Sequence, residues 1–128
     1  MSAAKWYRLA AEQGDPYAQF NFAELLEQGI GVESSAEDAV NWYEKAAKQG
    51  QANAQYSLGE MFLDGVGVEQ DMVMAYAWIH VVVGSGVETA EYILEELELE
   101  MTSEELNKAR KLGQEMWKKY GSDRLESE

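Results

Sequence analysis

Ala39-Val40-Asn41-Trp42-Tyr43-Glu44-Lys45-Ala46-Ala47-Lys48-Gln49-Gly50 is a phrase this chain uses three times. It stands first as Ala3-Ala4-Lys5-Trp6-Tyr7-Arg8-Leu9-Ala10-Ala11-Glu12-Gln13-Gly14. It returns in worn form as Ala75-Tyr76-Ala77-Trp78-Ile79-His80-Val81-Val82-Val83-Gly84-Ser85-Gly86. Trp6, Trp42 and Trp78 share one spacing, and Gly14, Gly50 and Gly86 share the same one. A fixed period of this length marks an array of stacked supersecondary units, in which no unit can bury its apolar face alone.

The repeat extends beyond the phrase. Residues 2–35 aligned without a gap on 38–71 agree at Ala3, Trp6, Tyr7, Ala10, Ala11, Gln13, Gly14, Ala18, Gln19, Glu24, Gly29, Gly31, Val32 and Glu33. Average composition would give roughly two agreements over such a length.

Each unit reads as two helices. Asp15 as cap and Pro16 at the first helical position start a helix that runs to about Gln28. Gly29 and Gly31 end it, because glycine tolerates the left-handed conformation that follows a helix. Ser34 with Glu37 is spaced as a capping box and opens the next helix, which carries Val40, Tyr43, Ala46 and Ala47 and stops at Gly50. The second unit predicts helices over 52–64 and 72–83 around Gly65-Val66-Gly67. A degenerate helix over 88–100 keeps Ala90 and Leu94 in register with Ala54 and Leu58. Thr102 and Glu105 form another capping box, opening a final helix over 103–120 with Leu106, Ala109, Leu112, Met116 and Trp117 on one side. A polar-backed terminal helix shields the last interface of such an array. The organisation is therefore one domain over 1–121: a partial repeat at 2–14, repeats at about 15–50 and 51–86, a degenerate helix and cap at 88–120, and a flexible tail at 122–128.

Composition narrows the partners. The chain has 128 residues, enough for one domain, and 46% of them are hydrophobic, too many for a disordered chain. The net charge of −14 argues against nucleic acid, which is held by Lys and Arg, and against an anionic membrane surface. A partner carrying basic residues suits it better. Cysteine is absent, which excludes disulfides, thiolate metal sites and a cysteine nucleophile. No apolar run reaches membrane-spanning length and no signal-peptide core opens the chain. A cytoplasmic location is the expectation for the chain as it stands, periplasmic or secreted if a targeting segment once preceded Met1.

The pattern Trp-Tyr-x-x-Ala-Ala-x-Gln-Gly, followed by Ala-Gln-x-x-(Leu/Phe)-(Gly/Ala) and Gly-x-Gly-Val, resembles the Sel1-like repeat family, relatives of the tetratricopeptide repeats. The likeness covers about residues 2–100, and the final helix is similar to the segment that closes bacterial members. The resemblance implies an all-α, right-handed α/α superhelix in which the first helix of each unit lines a concave face and the second lies outside. It also implies an adaptor that assembles other proteins.

Chemistry-bearing residues give no enzymatic signal. His80 is the single histidine and cysteine is absent, so no zinc ligand set of His and Cys can be assembled around it. The Gly-x-Gly turns follow helices where a phosphate loop needs a preceding strand. The Glu95, Glu96, Glu98 and Glu100 run lacks a calcium-loop pattern. No catalytic, metal or cofactor residue is expected. The tryptophans, each followed one turn later by paired alanines, read as interlocking core.

The inner helices carry the candidate site. Positions taken from the family's concave face fall on Phe20, Tyr56 and Tyr92, and one turn along lie Glu24, Glu60 and Glu96, with Gln28 and Asp64 beside them. Residues four apart share a helix face, so the two series run side by side. Aromatics supply apolar area and carboxylates attract Lys or Arg, so the expectation is a groove for a peptide bearing basic residues. The competing reading is that the rings pack between units and the glutamates only keep the face soluble. A second functional reading is self-association through Trp6, Tyr7 and Leu9 of the unpartnered first helix, and a third is a regulatory fragment of a larger envelope or signalling protein.

Overall fold

Asp15 decides where the first full unit begins. Its carboxylate accepts hydrogen bonds from the Tyr17 and Ala18 amides, and Pro16, which has no amide to satisfy, occupies the first helical position. Similar local signals punctuate the rest of residues 2–121, the part of the chain described by this computed structural model. Seven helices are present among the described residues: α1 (Ala3–Glu12), α2 (Pro16–Gln28), α3 (Ala36–Lys48), α4 (Ala52–Asp64), α5 (Met72–Val82), α6 (Thr89–Glu100) and α7 (Ser103–Tyr120). The stretch 122–128, expected as a tail, lies outside the described residues.

The ends of α2 and α4 are set by Gly29 and Gly65, with φ of 71° and 69°. Each returns its amide to the carbonyl four residues back, a geometry that would strain any residue carrying a Cβ. One expected cap moves by a residue. Ser35, not Ser34, caps α3 and accepts from the Asp38 amide, while Ser34 turns its hydroxyl to the Glu27 carbonyl. Ser34 with Glu37 matches the sequence spacing, but Ser35 is the residue whose extended backbone aims its side chain into the helix. The capping box at Thr102 and Glu105 forms with both reciprocal hydrogen bonds.

Each helix from α1 to α5 packs on the next, and the pairs wind into a right-handed α/α superhelix. Close approach is bought with small residues. Ala39, Ala46, Ala47, Ala54, Ala75 and Ala77 are fully buried, and Phe22, Tyr43, Leu58 and Ile79 fill the space between them. At Gly59 the Ile79 side chain stands where a Cβ would be, 2.6 Å from its ideal position. A buried glutamine recurs once per unit. Gln19 donates to the Ala11 carbonyl and Gln55 to the Ala47 carbonyl, so each ties an inner helix to the end of the outer helix before it.

The three tryptophans do not share one environment. Trp78 is buried at 3% exposure and stacks on Tyr120 with ring centroids 5.7 Å apart. Trp42 is half-buried, its edge on Phe22 and the Lys45 ammonium 4.3 Å over its face. Trp6 is 61% exposed, contrary to the expectation that all three interlock. The reason is positional: among the described residues no helix precedes α1, so the place that α2 fills beside Trp42 has no occupant beside Trp6.

The last helix closes the array by folding back. Its largest contact is with α5, and its end reaches α3 and the start of α4. Gly113 permits the crossing, since a Cβ there would lie 3.0 Å from the His80 ring. Ala109 and Met116 are buried and Leu106 and Leu112 partly so, as the amphipathic pattern predicts. Trp117, expected on that side, is instead exposed, and Tyr120 takes the inward place over Trp78. The Tyr120 carbonyl accepts from Gln55 Nε2 at 2.7 Å, so one glutamine closes two helix ends. At the other end of α7, Arg110 reaches Glu98, which also accepts from the Tyr76 hydroxyl, joining α5, α6 and α7.

Candidate functional site

The helix pairing puts α2 and α4 side by side on the inner face. A cavity of about 140 Å³ lies where their C-terminal halves meet, lined by Glu27, Ser57, Glu60, Met61, Asp64 and Val66. Glu24 stands one turn before Glu27 on α2. Four carboxylates therefore face one region. No Lys or Arg pairs with any of them among the described residues, where the ion pairs are Arg8 with Glu12, Lys48 with Glu44 and Arg110 with Glu98.

The electrostatics report the crowding. Partial burial pushes the Glu60 carboxyl above the usual range, and Asp64 and then Glu27 push it further. Glu24 is raised by the same order of causes, burial first and Glu27 second. Beneath them the Tyr43 hydroxyl donates to Glu27 Oε1 at 2.7 Å, and its own pKa is driven up by burial and then by that hydrogen bond. Glu27 is thus held from below while its remaining lone pairs face the cavity.

The residues chosen from the repeat ladders part company here. Glu24, Glu60 and Asp64 converge on the cluster. Gln28 is exposed at the end of α2 and makes no described contact with the other candidates. Phe20 is half-buried and tilts against Tyr43 with centroids 5.8 Å apart. Tyr56 is half-buried against the apolar cluster built by Tyr76, Ile79, Ala90 and Leu94, and its hydroxyl accepts from Thr89 at 2.9 Å, which fastens α4 to α6. Tyr92 is 61% exposed on α6 and hydrogen-bonds to Glu96, which raises its pKa. The aromatic series therefore splits into two packed rings and one open ring. Glu27 and Ser57 are not legible in the sequence, because the repeat does not mark them. Glu27 corresponds to Leu63 and Ser57 to Asn21, so neither belongs to a recurring series.

Other chemistry is thin. His80 stacks on Tyr76 with centroids 6.4 Å apart, and burial pushes its pKa down. Among the described residues no three His, Asp or Glu side chains are grouped as metal ligands would be, and no helix is long and apolar enough to cross a membrane.

A superhelix of antiparallel pairs with this glycine-punctuated period defines a helical-repeat scaffold. The Sel1 repeat model matches residues 2–15, 16–51 and 52–80, and the chain belongs to the Sel1 repeat family. Two solved structures are similar. One is c5321, a protective antigen of uropathogenic Escherichia coli strains displaying an SLR fold, at 35% identity and TM-score 0.91. That alignment covers 98% of this chain and 28% of c5321, so the chain spans little more than a quarter of that relative. The other is a Sel1 repeat protein from Oxalobacter formigenes, at 37% identity and TM-score 0.69, with 72% of this chain and 69% of that one covered. No curated protein matches the chain in sequence. Sel1 repeats are generally protein-interaction scaffolds, and the fold is typically non-enzymatic.

Proposed function

We propose that this protein is a non-enzymatic adaptor whose inner face holds a peptide or protein segment rich in Lys or Arg. The observation that carries the reading is the carboxylate cluster of Glu24, Glu27, Glu60 and Asp64, which spans two units and has no paired Lys or Arg among the described residues. Charges kept close together against their mutual repulsion favour an incoming cation, and partial burial strengthens its attraction. Phe20 and Tyr56 contribute the edges of packed rings to such a contact, and exposed Tyr92 extends the face to α6.

The test has two stages. Affinity capture from the source cell with mass spectrometry identifies a partner, and the partner's binding segment is then titrated against Glu60→Lys, Asp64→Lys and Tyr56→Ala. Loss of affinity in the lysine variants, and weakening of the parent's affinity by salt, support the inner face. Undiminished binding in all three, with helicity unchanged, overturns it.

Self-association is the second reading. Trp6, Tyr7 and Leu9 are exposed together on α1, a larger apolar group than a single surface residue explains. Light scattering decides it, since a monomer at high concentration excludes self-association.

A further inference from the structure

The outer face carries the same seat twice, and only one is occupied. The occupied seat lies between α3 and α5. A groove of about 230 Å³ remains there, with Glu44, Phe62, Met74 and Trp78 on one side and Leu112, Met116 and Tyr120 of α7 covering it on the other. At its end Tyr120 stacks on Trp78, its carbonyl is held by Gln55, and that oxygen lies 3.5 Å from where a Cβ of Gly50 would be.

One repeat earlier the walls recur between α1 and α3. Arg8, Leu26, Asp38 and Trp42 replace Glu44, Phe62, Met74 and Trp78 around a groove of about 370 Å³. A second cavity of about 390 Å³ adjoins it at Arg8 and Trp42 and is lined by Gly14, Gln19 and Lys45. Gly14 and Gln19 are the counterparts of Gly50 and Gln55, the residues at the end of α7. Space around Gly14 is open, and Gln19 Nε2 has one hydrogen bond, to Ala11, where Gln55 Nε2 has two.

The occupant's chemistry follows from what differs. Beside Trp78 stand Val81 and Glu44, the latter paired with Lys48, and beside Trp42 stand Lys45 and Arg8, the latter paired with Glu12. A helix arriving as α7 does brings the negative end of its dipole to this point, where the earlier seat carries one positive charge more than the later one. Arg8 has Glu12 as its partner at 3.4 Å, but both are exposed and the pair can exchange for a carboxylate in the groove. Along the rest of the wall Glu33 and Asp38 outnumber Lys5, Asp38 standing where the second seat has Met74, which favours a basic residue earlier in the helix.

We propose that the α1–α3 outer groove is a docking site for an amphipathic helix of a protein partner. That helix has apolar side chains at i, i+4 and i+8, the last aromatic, with a basic residue near the first and a carboxylate in its final turn. The site is separate from the inner face, and at its Arg8 and Lys45 end it prefers the opposite charge.

The test uses two labelled synthetic peptides and the whole chain. One peptide is Ser103–Tyr120 as it stands, and the other carries Lys119→Glu. Binding is read by anisotropy and by the indole N–H signals of the tryptophans in NMR. The Lys119→Glu peptide is expected to bind about tenfold more tightly than the other. It should move the Trp42 signal and leave that of Trp78 in place. Arg8→Glu and Lys45→Glu, both at exposed positions, should reverse the preference without altering helicity. The proposal is overturned if Trp42 does not respond to either peptide, or if the two surface variants leave the preference intact. It is equally overturned if Trp78 shifts, showing exchange with the chain's own α7, or if Trp42 responds to protein concentration alone, showing that a second copy fills the groove.

Discussion

The Tyr43 hydroxyl donates to Glu27 across 2.7 Å, so an outer-helix core residue props up a carboxylate of the inner face. This couples the repeat's most regular element to one of its least regular positions, for Tyr43 belongs to the repeated phrase and Glu27 has no counterpart. Tyr43→Phe keeps the buried ring and removes the donor. It should cost roughly 1–2 kcal/mol, the worth of a hydrogen bond to a charged group in a partly buried place. Chemical denaturation of parent and variant measures it. Glu27→Gln, which keeps an acceptor, should cost less than Tyr43→Phe.

Acid should relieve the inner face. Glu24 and Glu60 have pKa values raised in the fold by burial first and neighbouring carboxylates second. A raised value means that the protonated form favours folding. That contribution is complete below the ordinary carboxylate value of 4.5 and is lost as pH rises through the folded-state value. At pH 7, Glu60→Gln should therefore stabilise, by about 0.5 kcal/mol because Glu60 is largely in water and its repulsions are screened. At pH 4 and below the gain should shrink toward nothing. Thermal melts across that range would show whether the two curves converge.

The tryptophans should rank by burial despite their identical place in the motif. Trp78→Ala removes a buried ring stacked on Tyr120 and should cost about 3–5 kcal/mol. Trp6→Ala should fall within about 0.5 kcal/mol of the parent, as surface substitutions do. Trp42→Ala should lie between them. Equal costs for Trp6 and Trp78 would mean that the first phrase is covered as the third is.

Gly113 should tolerate little. A methyl group there would stand 3.0 Å from the His80 ring. Gly113→Ala therefore pushes α7 off α5 or displaces His80, at about 1–3 kcal/mol. Lost protection from hydrogen exchange along α7 would localise the effect.

The fold was legible because repetition exposes its own rules. The Trp-Tyr-x-x-Ala-Ala phrase, the glycine pairs and Asp15-Pro16 gave the helix pairs of both full units, with ends correct to within about two residues. What periodicity could not supply was what happens where it stops. Trp6 lost its partner, Trp117 yielded its inward place to Tyr120, and α7 turned back across α5. The site was half legible for the same reason. Glu24 and Glu60 stood out because they recur, while Glu27 was hidden by corresponding to Leu63. Phe20 and Tyr56 recur too, but recurrence alone cannot tell a ring kept for a partner from one kept for packing against Tyr43 or hydrogen-bonding Thr89.

The bond from Gln55 to the Tyr120 carbonyl spans 65 residues of chain. In an open array each unit answers only to its neighbours, and the ends can melt while the middle stands. A clasp of this reach changes the topology of that process. α7 cannot settle until α3, α4 and α5 have formed the surface it lies on, and once settled it makes the loss of any of them a shared loss. A loop this long is slow to close, so the nucleus belongs to the local helix pairs and the clasp to the end of folding. The chain is built in modules, but α3, α4, α5 and α7 should melt together.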